Sequence, residues 1–168
     1  MPMITPVEKR NLWLASAIVA FLVIVDQLVK VWAVSHLMSG PRYSYLSGFV
    51  VVEYAENRGA FLSLGASLSD TARMWIFVVG VLFILGFCVY SLVKSARHSA
   101  LAMAFALVIA GGVGNLIDRV RQGYVVDYVH MGFSSLRTGV FNVADVAISV
   151  GLILLVYLQY KMPEDSKG

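Results

Sequence analysis

Long apolar stretches separated by short polar segments are the dominant pattern of this chain. The clearest stretch, residues 74–93 (MWIFVVGVLFILGFCVYSLV), contains no charged side chain. A similar stretch near the N-terminus is interrupted only by Asp26 and Lys30. Because about 20 apolar residues cross the hydrocarbon core of a bilayer as a helix, the pattern predicts four transmembrane helices, at about residues 12–34, 73–94, 99–118 and 142–160.

Two long connections between the helices have the composition of strands and turns. Residues 35–72 contain SGFVVVEYAENRG, which predicts one or two short strands around Gly48 and a turn at Asn57–Gly59. Residues 119–141 contain VVDYVH, which is also strand-like. With four spans, both connections lie on the same side of the membrane. The β segment either packs as a hairpin on the helix ends or lines a cleft at the membrane surface.

Composition supports the membrane assignment. Apolar residues make up 59% of the 168 positions and charged residues 14%, whereas soluble chains average about 45–50% and about 25%. These values exclude a disordered or collagen-like chain and a large water-soluble enzyme, and the one cysteine excludes an intrachain disulfide. We predict an all-α membrane protein, residues 1–168 forming one domain, with four transmembrane helices and a small β-containing extracytoplasmic loop region.

Charged residues outside the helices bear on orientation and partners. The net charge of +3 comes from scattered basic residues, which does not indicate nucleic-acid binding. With the N-terminus in the cytoplasm, each side of the membrane holds six basic residues, so the positive-inside count is a tie. All lysines outside the spans fall on the side of the N-terminus, which favours cytoplasmic termini. The apolar run after Arg10 is too long for a cleaved signal peptide, so we expect the first helix to remain as an anchor.

Ionisable residues inside a span are candidates for function. Asp26 and Lys30 are four residues apart and therefore share one face of the first helix. They form either a neutralised ion pair at the helix end, with Lys30 extending to the interface, or part of a functional site.

Polar motifs mark the third and fourth helices where they meet the long loops. The third ends in GGVGNLIDR, in which the glycines allow close helix packing. Asp118 and Arg119 fit the water interface, whereas Asn115 lies one turn deeper. The fourth opens with FNVAD, in which Asn142 and Asp145 have the spacing of a capping box. A carboxylate stabilised by the helix dipole is also a suitable catalytic base.

Asp127 lies between apolar neighbours in VVDYVH, just before the last helix. Burial there would disfavour its charged form and raise its pKa. The loop is long enough to bring Asp127 to Asp145, and two adjacent carboxylates that share one proton can activate water, as in aspartic proteases. The sequence thus predicts an aspartic dyad.

Other catalytic motifs are missing from the sequence. The three histidines are far apart and no HExxH is present, which disfavours a zinc site. There is no GxSxG, GGVGN follows an apolar helix rather than a strand, and Cys88 lies in an apolar span where it fits core packing.

Five motifs together resemble a known family. In order and spacing, DQLVK, ENRGAF, GGVGNLIDR, VVDY and FNVAD resemble the signature blocks of bacterial lipoprotein signal peptidases, the signal peptidase II family. Two positions depart from the usual blocks, namely Phe61, where a small residue is common, and Val29, where Thr or Ser is usual.

The resemblance implies an aspartic endopeptidase of the bacterial inner membrane with both termini cytoplasmic and its active site near the outer leaflet. Such enzymes remove the signal peptide from diacylglyceryl-modified prolipoproteins before the lipidated cysteine, need no metal or cofactor, and are inhibited by globomycin. Asp127 and Asp145 match the catalytic pair. The positions that match residues around the site are Asp26, Lys30, Asn57, Gly59, Asn115, Arg119, Asn142 and Ala144.

Two alternative functions remain open from the residues alone. A small four-helix proton-coupled transporter would use membrane carboxylates such as Asp26, although transporters tend to show internal repeats and none is found here. A non-enzymatic assembly subunit would not need an aspartate pair. In the peptidase interpretation the partners are prolipoproteins and membrane lipid, and the chain is expected to be a monomer.

Overall fold

The computed structural model describes residues 4–58, 69–134 and 136–161. These residues form four long helices, each apolar and long enough to cross a membrane, and one small antiparallel sheet. The four-helix fold class with a small β region is therefore confirmed. The helices are α1 (Pro6–Leu37), α2 (Asp70–Lys94), α3 (Ser99–Gln122) and α4 (Val143–Lys161), and the strands, which pair in chain order, are β1 (Tyr43–Tyr45), β2 (Val50–Asn57), β3 (Val125–Phe133) and β4 (Leu136–Arg137).

Local sequence explains where the helices begin and end. Thr5 and Glu8 form a capping box at the start of α1. α3 ends at Gln122, so Arg119 lies in its last turn rather than in the loop predicted to begin there. Two features favour this extension: the basic residues of the last turn complement the helix dipole, and Gly123 adopts a left-handed φ of 82° as C-cap and donates its N–H to the Arg119 carbonyl.

α3 is the central helix of the bundle. Half of the residues in the most apolar 18-residue stretch of α3 are buried within the protein. The corresponding share is 11–17% in the other helices, whose side chains face the surroundings. It packs against α1, α2 and α4. Gly111 and Gly114 of α3 permit this, since a Cβ on Gly111 would collide with the Ala144 carbonyl oxygen of α4 and a Cβ on Gly114 would lie 2.6 Å from Asp26 Oδ2 of α1.

We expect Gly111→Ala to destabilise the bundle. Its Cβ would also lie 2.7 Å from Ile148 Cγ1, and relieving such overpacking costs about 1–3 kcal/mol. Gly86→Ala in α2 is the matched control, because among the described residues no heavy atom other than its chain neighbours and the local backbone of α2 lies within 4 Å of the added Cβ. Thermal unfolding in detergent should show a lowered Tm for Gly111→Ala and an unchanged or raised Tm for Gly86→Ala; equal Tm values would contradict this packing.

β3 links the sheet to the helices that surround the polar residues. Its buried Val126 and Tyr128 pack with Ala33 and Leu37 at the end of α1. On one side β3 pairs with β2, with Ala55 opposite Asp127. On the other side, the amides of Tyr128 and Val129 donate to the Phe141 carbonyl just before α4. β3 therefore holds Asp127 beside the N-terminus of α4.

Candidate active site

One asparagine connects the two aspartates predicted to form a dyad. Asp127 is 2% exposed on β3, and Asp145 lies in the first turn of α4. Asn142 Nδ2 donates to Asp127 Oδ1 (2.6 Å), while Asn142 Oδ1 accepts the backbone N–H of Asp145 (2.9 Å). The Asp145 carboxylate in turn accepts a hydrogen bond from the backbone N–H of Asn142 (3.2 Å), which completes the capping box expected from the spacing. The cap thus fixes one carboxylate, and its side-chain amide contacts the other.

Two further asparagines orient the carboxylates. Asn57 Nδ2, at the end of β2, donates to Asp127 Oδ2 (3.1 Å), and Asn115 Nδ2, on α3, donates to Asp145 Oδ1 (2.8 Å). Asn115 Oδ1 accepts from Asn142 Nδ2 (3.1 Å). Each aspartate therefore receives a side-chain amide from a different element, which restricts its rotamer.

The surroundings of Asp127 favour its protonated form. Burial, together with the nearby charge of Asp145, raises the pKa of Asp127 to about 6. The hydrogen bonds from Asn57 and Asn142 and the charge of Lys30 act in the opposite direction. A neutral carboxylic acid next to an ionisable partner is the arrangement needed for general acid and base chemistry.

Arg119 is a half-buried cation beside this pair. Its Nη1 donates to the Asn115 carbonyl (3.4 Å), and its guanidinium lies 5.9 Å from the centre of the Phe77 ring of α2. The guanidinium interacts electrostatically with the carboxylates of Asp145 and Asp127. It is a planar donor next to these two aspartates and is suited to a carbonyl or carboxylate group.

A buried ion-pair cluster lies behind the asparagines. Lys30 Nζ pairs with Asp26 Oδ2 (2.8 Å) and Asp118 Oδ2 (3.0 Å) and donates to Asn115 Oδ1 (3.0 Å). The expected Asp26–Lys30 pair is present, but the idea that Lys30 extends to the interface is wrong, because it is 3% exposed. Its three N–H groups all have acceptors inside the protein, so extension would break these contacts.

The cluster also reaches the backbone of α4. Asp26 Oδ1 accepts the amide of Ala144 (3.0 Å), and Ala144 is itself buried against Gly114. Nine of the ten predicted site residues thus fall in or beside one polar network. The tenth, Gly59, lies outside the described residues, so the predicted Asn57–Gly59 turn is described only as far as Arg58.

Three residues of this network were missed or misread in the sequence. The interpretation that Asp118 simply marks the water interface is wrong, because Asp118 is 4% exposed and has buried partners. Gln27 donates to Asp118 Oδ1 (3.1 Å) and the Gly114 carbonyl (3.2 Å), and the Tyr128 hydroxyl accepts the Val143 amide (3.2 Å). An amide next to Asp26 inside a span was the available signal for Gln27.

Within the described ranges, no group of three or more His, Cys, Asp and Glu side chains is arranged to hold a metal ion. The polar network consists instead of carboxylates neutralised or oriented by Lys30 and by side-chain amides.

Comparison with known proteins places the chain in a family. Residues 18–161 match the family described as signal peptidase (SPase) II. Lipoprotein signal peptidases from Streptococcus pyogenes serotypes M3 and M4 are each 40% identical over 157 residues, which cover 91% of this chain and 95% of the relative. Two solved bacterial membrane enzymes, determined in meso at 1.9 Å and 2.3 Å resolution, are also similar.

The structural similarity extends over nearly the whole chain. The first enzyme has a TM-score of 0.79 at 30% identity and covers 89% of this chain and 94% of its own. The second has a TM-score of 0.75 at 29% identity and covers 91% of both chains. The sequence motifs, the fold and these matches agree: the chain is a bacterial membrane peptidase that belongs to the signal peptidase (SPase) II family.

Proposed function

We propose that this chain is an aspartic endopeptidase that removes the signal peptide from diacylglyceryl-modified prolipoproteins, cutting before the lipidated cysteine. The observation that carries the proposal is the connection of Asp127 and Asp145 through Asn142, with Asp127 poised to hold a proton. The relatives named lipoprotein signal peptidase support the substrate class.

The reaction uses one water molecule held between the two carboxyl groups. The ionised carboxylate takes a proton from the water as its oxygen attacks the scissile carbonyl. The C–N bond then breaks, and the protonated carboxyl donates its proton to the leaving amine. The two aspartates titrate as a coupled pair, so the roles belong to the dyad rather than to either residue.

Neighbouring residues bind the substrate and stabilise charge. Arg119 and Asn57 offer N–H donors beside the dyad, where negative charge develops on the carbonyl oxygen. Asn115 and Asn142 hold the carboxylates in place. Lys30, Asp26 and the Ala144 amide fix α1 to the start of α4, and Gly59 completes the set by resemblance.

We also propose an orientation in the membrane, supported by the position of the site on the bundle. The dyad lies where α3 ends and α4 begins, on the side of the protein that carries the sheet. In the proposed orientation this end is at the outer leaflet, both termini are cytoplasmic, and the lipid chains of the substrate stay in the bilayer. The enzyme acts as a monomer without a cofactor, and globomycin competes for the site.

Cleavage in detergent tests the function. The purified protein is expected to cut a diacylglyceryl-modified prolipoprotein peptide without any ion gradient and to leave the unlipidated peptide uncut. A proton-coupled transporter would cut neither peptide. Absence of cleavage by a folded preparation would overturn the proposal.

Activity is expected to fall as pH rises above about 6. Asp127 has a folded-state pKa of about 6, above the ordinary 3.8, so the dyad keeps its proton below this value and loses it above. The same shift contributes stability that is complete below pH 3.8 and lost as pH rises through about 6. Profiles of kcat/KM against pH measure the alkaline limb.

Asn57→Ala should move the alkaline limb of the kcat/KM profile to higher pH, because the Asn57 hydrogen bond lowers the pKa of Asp127. Glu53→Gln is the control; Glu53 is a partly exposed carboxylate on β2 that pairs with Arg42 (3.3 Å). A flat profile, or equal displacement by both variants, would contradict the assignment.

A further inference from the structure

Asp118 makes contacts that tie three elements together behind the dyad. Its Oδ2 accepts from Lys30 Nζ of α1 (3.0 Å) and from the Val126 amide of β3 (3.1 Å), and its Oδ1 accepts from Gln27 Nε2 of α1 (3.1 Å). The residue is 4% exposed. A carboxylate this buried is costly unless it is fully paired, and here all its contacts are donors.

Through its hydrogen bond with Val126, Asp118 contacts the residue that directly precedes the proposed catalytic Asp127. Val126 lies opposite Glu56 of β2, and in an antiparallel strand the N–H and C=O of one residue point to the same side. The Val126 N–H binds Asp118, and its C=O accepts from Asn142 Nδ2 (3.3 Å). Two side chains therefore take the place of a neighbouring strand at this point of β3.

We propose that Asp118 is a positioning residue that fixes the position and orientation of Asp127. It does so by joining the backbone N–H of Val126, the residue before Asp127, to the buried ion-pair cluster around Lys30. The proposal rests on the proposed function, since it assigns Asp118 a part in setting the dyad. Asn142 fixes Asp127 from the α4 side, and Asp118 fixes it from the α1–α3 side. Without Asp118, β3 keeps its pairing with β2 and its apolar packing on α1 but loses the hydrogen bond that joins Val126 to α3.

The charges of the buried ion-pair cluster allow Asp118 to be neutralised without leaving Lys30 unpaired. The cluster holds one cation, Lys30, and two carboxylates, Asp26 and Asp118. Asp118→Asn therefore leaves Lys30 paired with Asp26, so the variant is expected to fold. The Asn side chain has one acceptor oxygen, and its NH2 group would face a donor, so it cannot accept from Lys30, Gln27 and Val126 together.

The experiment measures kcat and KM of purified Asp118→Asn on a diacylglyceryl-modified peptide. We expect kcat to fall about tenfold to hundredfold, because a misplaced reacting group costs this order of rate, and KM to change by less than about threefold. Asn11→Ala is the matched control: Asn11 is a buried amide of α1 that donates to the Ala96 carbonyl (2.8 Å) at the opposite end of the bundle. It should lower Tm and leave kcat unchanged.

The pH profile provides a readout that a general loss of stability would not move. Within residues 4–58, 69–134 and 136–161, the charged or titratable groups that act on Asp127 are Lys30 of α1, Arg119 of α3, Asp145 of α4 and the adjacent Tyr128, while β2 contributes the neutral amide of Asn57. Removing the Asp118 charge leaves Lys30 less neutralised, which disfavours the proton on the dyad. The alkaline limb of Asp118→Asn should therefore move to lower pH.

The outcomes separate the two proposals. Wild-type kcat in folded Asp118→Asn, or a loss that only follows Tm as in Asn11→Ala with no change in pH profile, would overturn the positioning role. Asp127→Asn, assayed in parallel, would instead overturn the dyad if it remained fully active. Should Asp118→Asn not accumulate, Gln27→Leu keeps all three charges and is expected to lower kcat about twofold to tenfold; unchanged kcat would then overturn the role of Asp118.

Discussion

Replacing Asp127 or Asp145 by Asn is expected to lower kcat for cleavage of a lipidated peptide by at least about 10³-fold. Each change removes a carboxyl that takes or donates a proton in the transition state, and general acid and base groups contribute about 10²–10⁴-fold each. Asn is nearly isosteric and still offers an acceptor oxygen to Asn57 or Asn115. The variants should therefore fold and insert as the wild type does, which circular dichroism and gel filtration in detergent would verify.

The double variant tests whether the two aspartates act as a unit. Asp127→Asn combined with Asp145→Asn should be no slower than either single variant, because one missing partner already disables the shared-proton mechanism. Glu53→Gln on β2 should retain wild-type kcat, since its carboxylate pairs with Arg42 and His130 away from the dyad. Retention of more than about a tenth of the activity by either single variant would contradict the dyad.

Lys30→Met is expected to have the largest effect on stability. It leaves Asp26 and Asp118, which are 1% and 4% exposed, without their shared cation. Removing one partner of a buried ion pair typically costs about 3–5 kcal/mol. We expect a steep fall in the free energy of unfolding, or failure of the variant to accumulate, measured by thermal or denaturant unfolding in detergent.

The control for Lys30 is the exposed lysine at the end of α2. Lys94→Met removes the same charge from a side chain whose Nζ lies 5.7 Å from the centre of the Tyr90 ring, and exposed substitutions of this kind change stability by about 0.5 kcal/mol or less. Equal losses for Lys30→Met and Lys94→Met would show that the buried cluster does not stabilise the bundle.

Hydropathy and local pattern were sufficient for the fold class. The four helices follow from apolar runs of membrane-spanning length, and β3 follows from the strand-like VVDYVH. Asp127 and Asp145 could be named as candidates because an acid between apolar neighbours and an acid at a helix start are both visible locally. Asn142 and Asp145 also show how one motif can serve two purposes, since their capping box joins the proposed site.

Long-range contacts could not be read from local pattern. Lys30 and Asn115 meet although 85 positions separate them, and the Ala144 amide meets Asp26 over 118 positions. The role of Asp118 depends on the same packing of α1 against α3, so spacing within α3 suggested only the water interface. α3 continues to Gln122, past the charged residues where the apolar run ends, because its C-cap is at Gly123.

Hydrolysis of the lipidated peptide in H2¹⁸O during a single turnover tests the central claim, attack by a water molecule activated by Asp127 and Asp145. Mass spectrometry of the released signal peptide and of the enzyme peptides that contain the two aspartates locates the label. Attack by water puts one ¹⁸O in the new carboxylate of the signal peptide and none in either aspartate. An unlabelled product with ¹⁸O in Asp127 or Asp145 would show that an aspartate attacked the carbonyl itself and would contradict the activation of water by the dyad.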